Sequence, residues 1–263
     1  MRAGLVAVIV VVLTACGSSS APEVVLPPAG AVIDYQLGAA YPPAPEAAIV
    51  VRDRAAQAAN DRYGICYVNA FQTQPDELAG WSHDHPDLLL RDSTGQPVQD
   101  PDWPGEQLFD LRTASSRAHL LQIVGPWIDG CAENGYDAVE PDNLDSWTRS
   151  QGLLSRKHAE AFARLLTARA HASGLAVAQK NSAELSSTDL GFDFAVAEEC
   201  EVHDECMAYT AAFGDHVIEI EYTDNGAQAF TRACALRGDR VSVLLRDREV
   251  VGPDDPEYVS RWC

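Results

Sequence analysis

Apolar residues recur along this chain in two rhythms. One is short and dense, and fits buried strands. It is found at Val32–Leu37 (VIDYQL), Ile49–Asp53 (IVVRD), Gly64–Asn69 (GICYVN), Leu108–Arg112 (LFDLR) and Tyr136–Asp142 (YDAVEPD). It continues at Leu175–Asn181 (LAVAQKN), Phe192–Glu198 (FDFAVAE), Val217–Tyr222 (VIEIEY) and Val241–Asp247 (VSVLLRD). The other rhythm is helical. Its clearest case is Ser155–Ser173 (SRKHAEAFARLLTARAHAS), which starts on a Ser and is followed by Gly174. Ser116–Glu133 is a second case, in which Pro126 is expected to kink or divide the helix.

Strand–helix alternation over the whole length predicts a parallel sheet with helical crossovers. Nine strands are one more than a closed barrel of eight requires, so one is expected to be an extra or edge element. No internal repeat and no second linker interrupts the pattern. The reading is an α/β fold, a single-domain (β/α)₈ TIM barrel over residues 31–263. A doubly wound open sheet is the alternative.

The N-terminus stands outside that pattern. Arg2 precedes an apolar run from Leu5 to Leu13, which suits a cleaved export signal over residues 1–15. Leu13-Thr14-Ala15-Cys16 is similar to a bacterial lipobox, in which Cys16 would be lipidated. An ordinary signal with an unmodified cysteine is the alternative. Residues 16–30 then read as a flexible tether. These features predict an exported lipoprotein of the bacterial cell envelope, held to the membrane through its lipid only.

The net charge of −20 at pH 7 argues against nucleic acid and against attraction to anionic lipid. It is compatible with a cationic ligand, or with a merely acidic surface. Once Cys16 is set aside, six cysteines remain, and an even number in an exported chain suggests disulfides. The favoured pairs are Cys200–Cys206 as a local loop closure, Cys234–Cys263 as a C-terminal clip and Cys66–Cys131 by elimination. Zinc is the competing use, but no CxxC or tight Cys/His pair is present.

Candidate chemistry gathers at the strand ends, which carry Asp34 with Gln36, Asp53, Asn69, Asp110, Glu140 with Asp142, Lys180 with Asn181, Glu198, and Glu219 with Glu221. Barrel enzymes build their sites at this end, and unpaired buried carboxylates are costly elsewhere. In VEPDN, Glu140 and Asp142 are two apart and share a strand face, and Pro141 marks the end of the strand. Two carboxylates so close repel, and Lys180 is the obvious counter-ion. Such carboxylates suit glycoside hydrolysis, with one protonating the leaving oxygen while the other attacks or activates water. They could also hold calcium or magnesium, but no DxDxDG loop is present. GxSxG, GxGxxG, P-loop and HExxH motifs are absent as well, so neither metal nor cofactor is expected. Tyr35, Tyr41, Tyr67, Trp103, Trp147, Tyr209 and Tyr222 lie near the same ends, where sugars could stack or where the rings fill the upper core.

The ordered series DYQLG (34–38), ICYVNA (65–70), WPGE (103–106), DLR (110–112), GYDAVEPDNLD (135–145), KN (180–181), DFAVAEEC (193–200), DEC (204–206) and IEYT (220–223) resembles glycoside hydrolase family 114. The resemblance covers nearly all of the chain after the leader. It departs from the family pattern at Ala70 and Ala197. It implies an endo-α-1,4-polygalactosaminidase-like glycosidase with a TIM barrel, acting on a cationic amino-sugar polysaccharide. By motif position it implies Asp142 and Glu198 as the catalytic pair, with Asp142 as nucleophile or base and Glu198 as acid, or the reverse. It further implies that Asp34, Tyr35, Asp53, Asp110, Glu140, Asp145, Lys180, Asn181 and Glu221 bind sugar or orient the pair. The protein is expected to act as a monomer. A non-catalytic polysaccharide-binding lipoprotein with the same acidic mouth is the alternative.

Overall fold

The computed structural model describes residues 24–263. The expected export signal, Cys16 and the first part of the expected tether lie outside the described residues. Nine strands form one sheet in chain order: β1 (Ile33–Gln36), β2 (Ile49–Asp53), β3 (Tyr63–Asn69), β4 (Ala138–Asp142), β5 (Ala176–Lys180), β6 (Phe194–Glu198), β7 (Val217–Tyr222), β8 (Ser242–Arg246) and β9 (Ser260–Trp262). Strands β1 to β8 pair in parallel, and β9 pairs antiparallel with β8. β1 touches both β8 and β9, so the sheet curls into a nearly closed TIM barrel with β9 in the seam. The Gly38 amide donates to the Val250 carbonyl at 3.2 Å across that seam. A Cβ on Gly38 would meet the same oxygen at 2.6 Å, so a glycine is needed there.

Side chains alternate along each strand, and both faces are covered. One face supplies the lumen core, including Ile33, Tyr35, Ile49, Val51, Ile65, Ala138, Ala178, Val196, Ile220 and Leu244. The other face packs on helices. α1 (Leu78–Asp84), α2 (Ala114–Glu133) and α3 (Arg156–Ala172) cover one side, while α4 (Cys206–Phe213) and α5 (Gln228–Arg237) cover another. The helical ring is incomplete, because β1–β2 and β2–β3 are joined without a helix and β5–β6 only by a short 3₁₀ turn. In the first of these links Pro42, Pro43 and Pro45 remove the amide donors that a helix requires.

α3 buries Ala159, Phe162, Ala163, Leu166, Thr167 and Ala170, a single stripe at helical spacing. The Ser155 amide donates to His158 Nδ1 at 3.2 Å at its start, and Gly174 takes φ +79° just past its end. α2 runs unbroken through Pro126, so the proline does not divide it. The strand expected at Leu108–Arg112 does not join the sheet and makes only isolated bridges, Leu108 with Gln72 and Phe109 with Leu89, in the long β3–α2 connection. Three disulfides join Cys66 to Cys131, Cys200 to Cys206 and Cys234 to Cys263. They tie β3 to α2, close the loop after β6 and tie α5 to the residue after β9. Such bonds fit an exported protein. No helix among the described residues is long and apolar enough to cross a membrane.

Candidate functional site

The β4–β5 ladder stops at Val139↔Val177, two residues before Pro141, which has no amide hydrogen to give. Beyond that point Glu140 and Asp142 on β4 face Lys180 on β5. Lys180 Nζ lies 3.1 Å from Glu140 Oε1, 3.3 Å from Asp142 Oδ1 and 3.3 Å from Glu198 Oε2 on β6. The lysine is only 2% exposed.

Tyrosines complete the shell. Tyr35 donates to Glu140 Oε1 at 2.7 Å, Tyr67 donates to Asp142 Oδ2 at 2.8 Å, and Tyr222 donates to Glu198 Oε1. Burial lifts all three phenols well above their ordinary range, which keeps them protonated donors. Asn181, held at φ +51°, donates to Glu198 Oε2 at 3.0 Å and accepts the Glu198 amide at 2.8 Å.

The electrostatics separate the carboxylates. Burial pushes the Asp142 carboxyl up, but the Lys180 ammonium, the Asn143 amide (2.7 Å) and Tyr67 outweigh it and hold the group below its usual range. Glu140 is fully buried, and desolvation pushes it to about 7 against the pull of Lys180, with Asp142 adding repulsion. Burial opposes the Lys180 charge, but Asp142 and Glu198 more than restore it and raise its pKa well above the usual value. Below pH 7 the cluster therefore sets the Lys180 ammonium against an ionised Asp142 and a neutral Glu140. Asp142 and Glu198 reach the surface, whereas Glu140 has no exposed area.

The cluster thus brings together Asp142, Glu198, Glu140, Lys180, Tyr35 and Asn181. Asp53 and Asp145 lie further out. Asp53 is half-buried at the end of β2 and accepts Gln74 at 3.1 Å. Asp145, also half-buried, pairs with Arg149 at 2.8 Å. The other three expected residues stand apart. Asp34 faces away from Tyr35 on β1 and accepts Tyr41 OH at 2.7 Å and Gln36 at 2.9 Å. Asp110 is held by Arg112 at 2.6 Å. Glu221 lies on the helix side of β7 and accepts the Glu201 amide at 3.0 Å.

Tyr67 and Tyr222 were legible as mouth aromatics but not as hydrogen-bond donors to the carboxylates. Glu106 ends the WPGE motif but was given no role from the sequence. It accepts Asn69 at 2.9 Å and Gln72 at 2.7 Å on the same oxygen, and Asn69 pairs in register with Asp142. Among the described residues one group has metal-ligand spacing, Cys200, Cys206 and Glu219, but its two sulfurs are bonded to each other.

The fold is similar to that of solved glycoside hydrolase domains. Aspergillus fumigatus Ega3, solved in complex with galactosamine, superposes with a TM-score of 0.71 at 21% identity, covering 94% of this chain and 100% of that one. The glycoside hydrolase domain of PelA from Pseudomonas aeruginosa gives a TM-score of 0.59 at 17% identity, covering 88% and 97%. No curated protein sequence matches. The profile of glycoside-hydrolase family GH114 matches residues 14–263. With its TIM barrel and its carboxylates gathered at the ends of β4 and β6, the chain belongs to glycoside-hydrolase family GH114.

Proposed function

We propose that this protein is an exported, lipid-anchored glycosidase that cleaves α-1,4-linked galactosamine in a cationic polysaccharide by a two-carboxylate mechanism. The observation that carries the reading is Lys180, buried between Asp142 and Glu198 and within 3.3 Å of both. The galactosamine in the structure of Ega3, a structural neighbour of this chain, supports the substrate class.

Asp142, held ionised by Lys180, Tyr67 and the Asn143 amide, is the nucleophile. Glu198 is the general acid. Its proton passes to the glycosidic oxygen as the C1–O bond breaks and the Asp142–C1 bond forms. Ionised Glu198 then takes a proton from water, whose oxygen attacks C1 and releases Asp142. Both carboxylates lie within 3.3 Å of one nitrogen, so those oxygens are separated by no more than about twice that distance. Retaining enzymes place their carboxyls about 5–5.5 Å apart and inverting ones about 6.5–9.5 Å, which favours retention. Glu140, Tyr35, Lys180 and Asn181 position the pair. Asp53 and Asp145, further out, contact the sugar chain.

The test is release of oligosaccharides from partly deacetylated α-1,4-galactosaminan, with the new reducing end followed by NMR. Wild type is expected to release α-anomers first, and Asp142→Asn and Glu198→Gln each to lose at least about a hundredfold in rate while staying folded. Wild-type rates in either variant would remove the assignment, and binding without turnover by wild type would favour a binding lipoprotein. Anchoring rests on the lipobox-like sequence ending at Cys16. Cys16→Ser is expected to move the protein from the membrane fraction to the soluble fraction, and an unchanged membrane fraction would argue against a lipid at that residue.

A further inference from the structure

The β3–α2 connection carries a side chain that the cleavage chemistry does not use and that is held in place with care. Glu106 is half-buried, and one of its oxygens, Oε2, takes both the Asn69 and the Gln72 amides. Those two partners are themselves 4% and 0% exposed. Among the described residues Oε1 accepts no hydrogen bond, and it is not sealed from solvent. Burial raises the Glu106 carboxyl above its usual value, the two amides pull it down, and the nearby charge of Asp142 adds to the rise. The carboxylate therefore stands beside the reacting group with one oxygen fixed and one available.

Three residues earlier in the same turn is Trp103, 44% exposed. Its base is rigid. Asp100, almost fully buried, accepts the amides of Asp102 and Trp103 at 2.9 and 3.3 Å and the Arg149 guanidinium at 2.6 Å. Arg149 also donates to Asn143 at 3.0 Å, and Asn143 donates to Asn69 at 2.9 Å. One hydrogen-bonded path thus runs from the turn under Trp103, behind Asp142, to Glu106. A single exposed aromatic is ordinary on a protein surface. An exposed indole anchored three residues from a carboxylate with an unclaimed oxygen offers a sugar ring both a flat apolar face and a charged acceptor.

We propose that the turn Asp100–Gln107 forms a subsite for a 2-amino-sugar unit, in which Glu106 takes the sugar's ammonium group and Trp103 stacks on the apolar face of its ring. This rests on the reading of the site as one for galactosamine polymers and adds which residues sense the free amine. An ammonium on a partly desolvated carboxylate gains a charge-assisted hydrogen bond, whereas an N-acetyl group offers no charge and leaves that carboxylate facing an amide.

The experiment uses the Asp142→Asn protein, so that bound oligosaccharide stays intact, and calorimetric titration with galactosamine and N-acetylgalactosamine oligosaccharides of equal length. Adding Glu106→Gln is expected to weaken binding of the amine form about tenfold and leave the N-acetyl form nearly unchanged. Adding Trp103→Ala, a surface change that spares the fold, is expected to weaken both forms alike. An unchanged preference for the amine form in the Glu106→Gln protein overturns the subsite while the galactosaminan reading stands. Failure of the parent Asp142→Asn protein to bind either oligosaccharide overturns that reading and the subsite with it.

Discussion

Lys180 is the residue on which the cluster turns. Its ammonium is the buried cation that Glu140, Asp142 and Glu198 share. Removing one partner of a buried ion pair costs about 3–5 kcal/mol, because the remaining charges are left without compensation. In a Lys180→Met protein the carboxylates would repel one another without a cation, and their folded pKa values would rise. A raised folded pKa contributes stability that is present at low pH and lost as pH rises through it. Lys180→Met is therefore expected to be destabilised by about 3–5 kcal/mol at pH 8 and much less at pH 5, measured by denaturant melts. Equal loss at both pH values would show that the lysine does not compensate these charges. Asp142, Glu198 and Lys180 were legible because alternation on a strand, with Pro141 marking its end, points their side chains together. Asp34 and Glu221 follow the same alternation on the opposite face. In a barrel buried on both sides, the pattern of polar and apolar residues does not say which face is the lumen.

At the scale of elements, α3 could be read from its Ser155 start, its Gly174 stop and its single apolar stripe. Leu108–Arg112 has the composition of a strand but is taken up by bridges to Gln72 and Leu89, partners far away in sequence. β9 has only three residues, too few to carry a period. The loop after β6 shows what lies beneath such an element. Glu221 on β7 has no exposed area, and its Oε2 has no hydrogen-bond partner among the described residues. Burial pushes it to about 7; the Glu201 amide opposes this, and Glu219, Glu199 and Glu201 add repulsion. Arg237 spans Glu219 and Glu201 at 2.8 and 2.5 Å, and Arg248 pairs with Glu199 at 2.6 Å. A carboxyl raised in the fold stabilises it at low pH and loses that contribution between its unfolded pKa and about 7. Relative to Glu221→Gln, wild type is expected to lose about 1–2 kcal/mol between pH 5 and pH 8. Parallel stability curves for the two proteins over that range would show that Glu221 does not titrate on folding.

For the molecule as a whole, strand–helix alternation indicated a parallel sheet covered on both faces, and the polar residues at the end of strand after strand favoured a barrel over a doubly wound sheet. The seam was not legible, since it is made by a glycine, a loop carbonyl and a short reversed strand that are brought together only by the closed ring. That seam has a consequence in time. A ribosome delivers β1 well before β9, and synthesis at roughly 5–20 residues per second puts some tens of seconds between them. Until residues 260–262 arrive, the edges of β1 and β8 have no strand between them and are open to pairing with another chain. The Cys234–Cys263 bond can form only once both cysteines are present, so it locks the ring after β9 has been made.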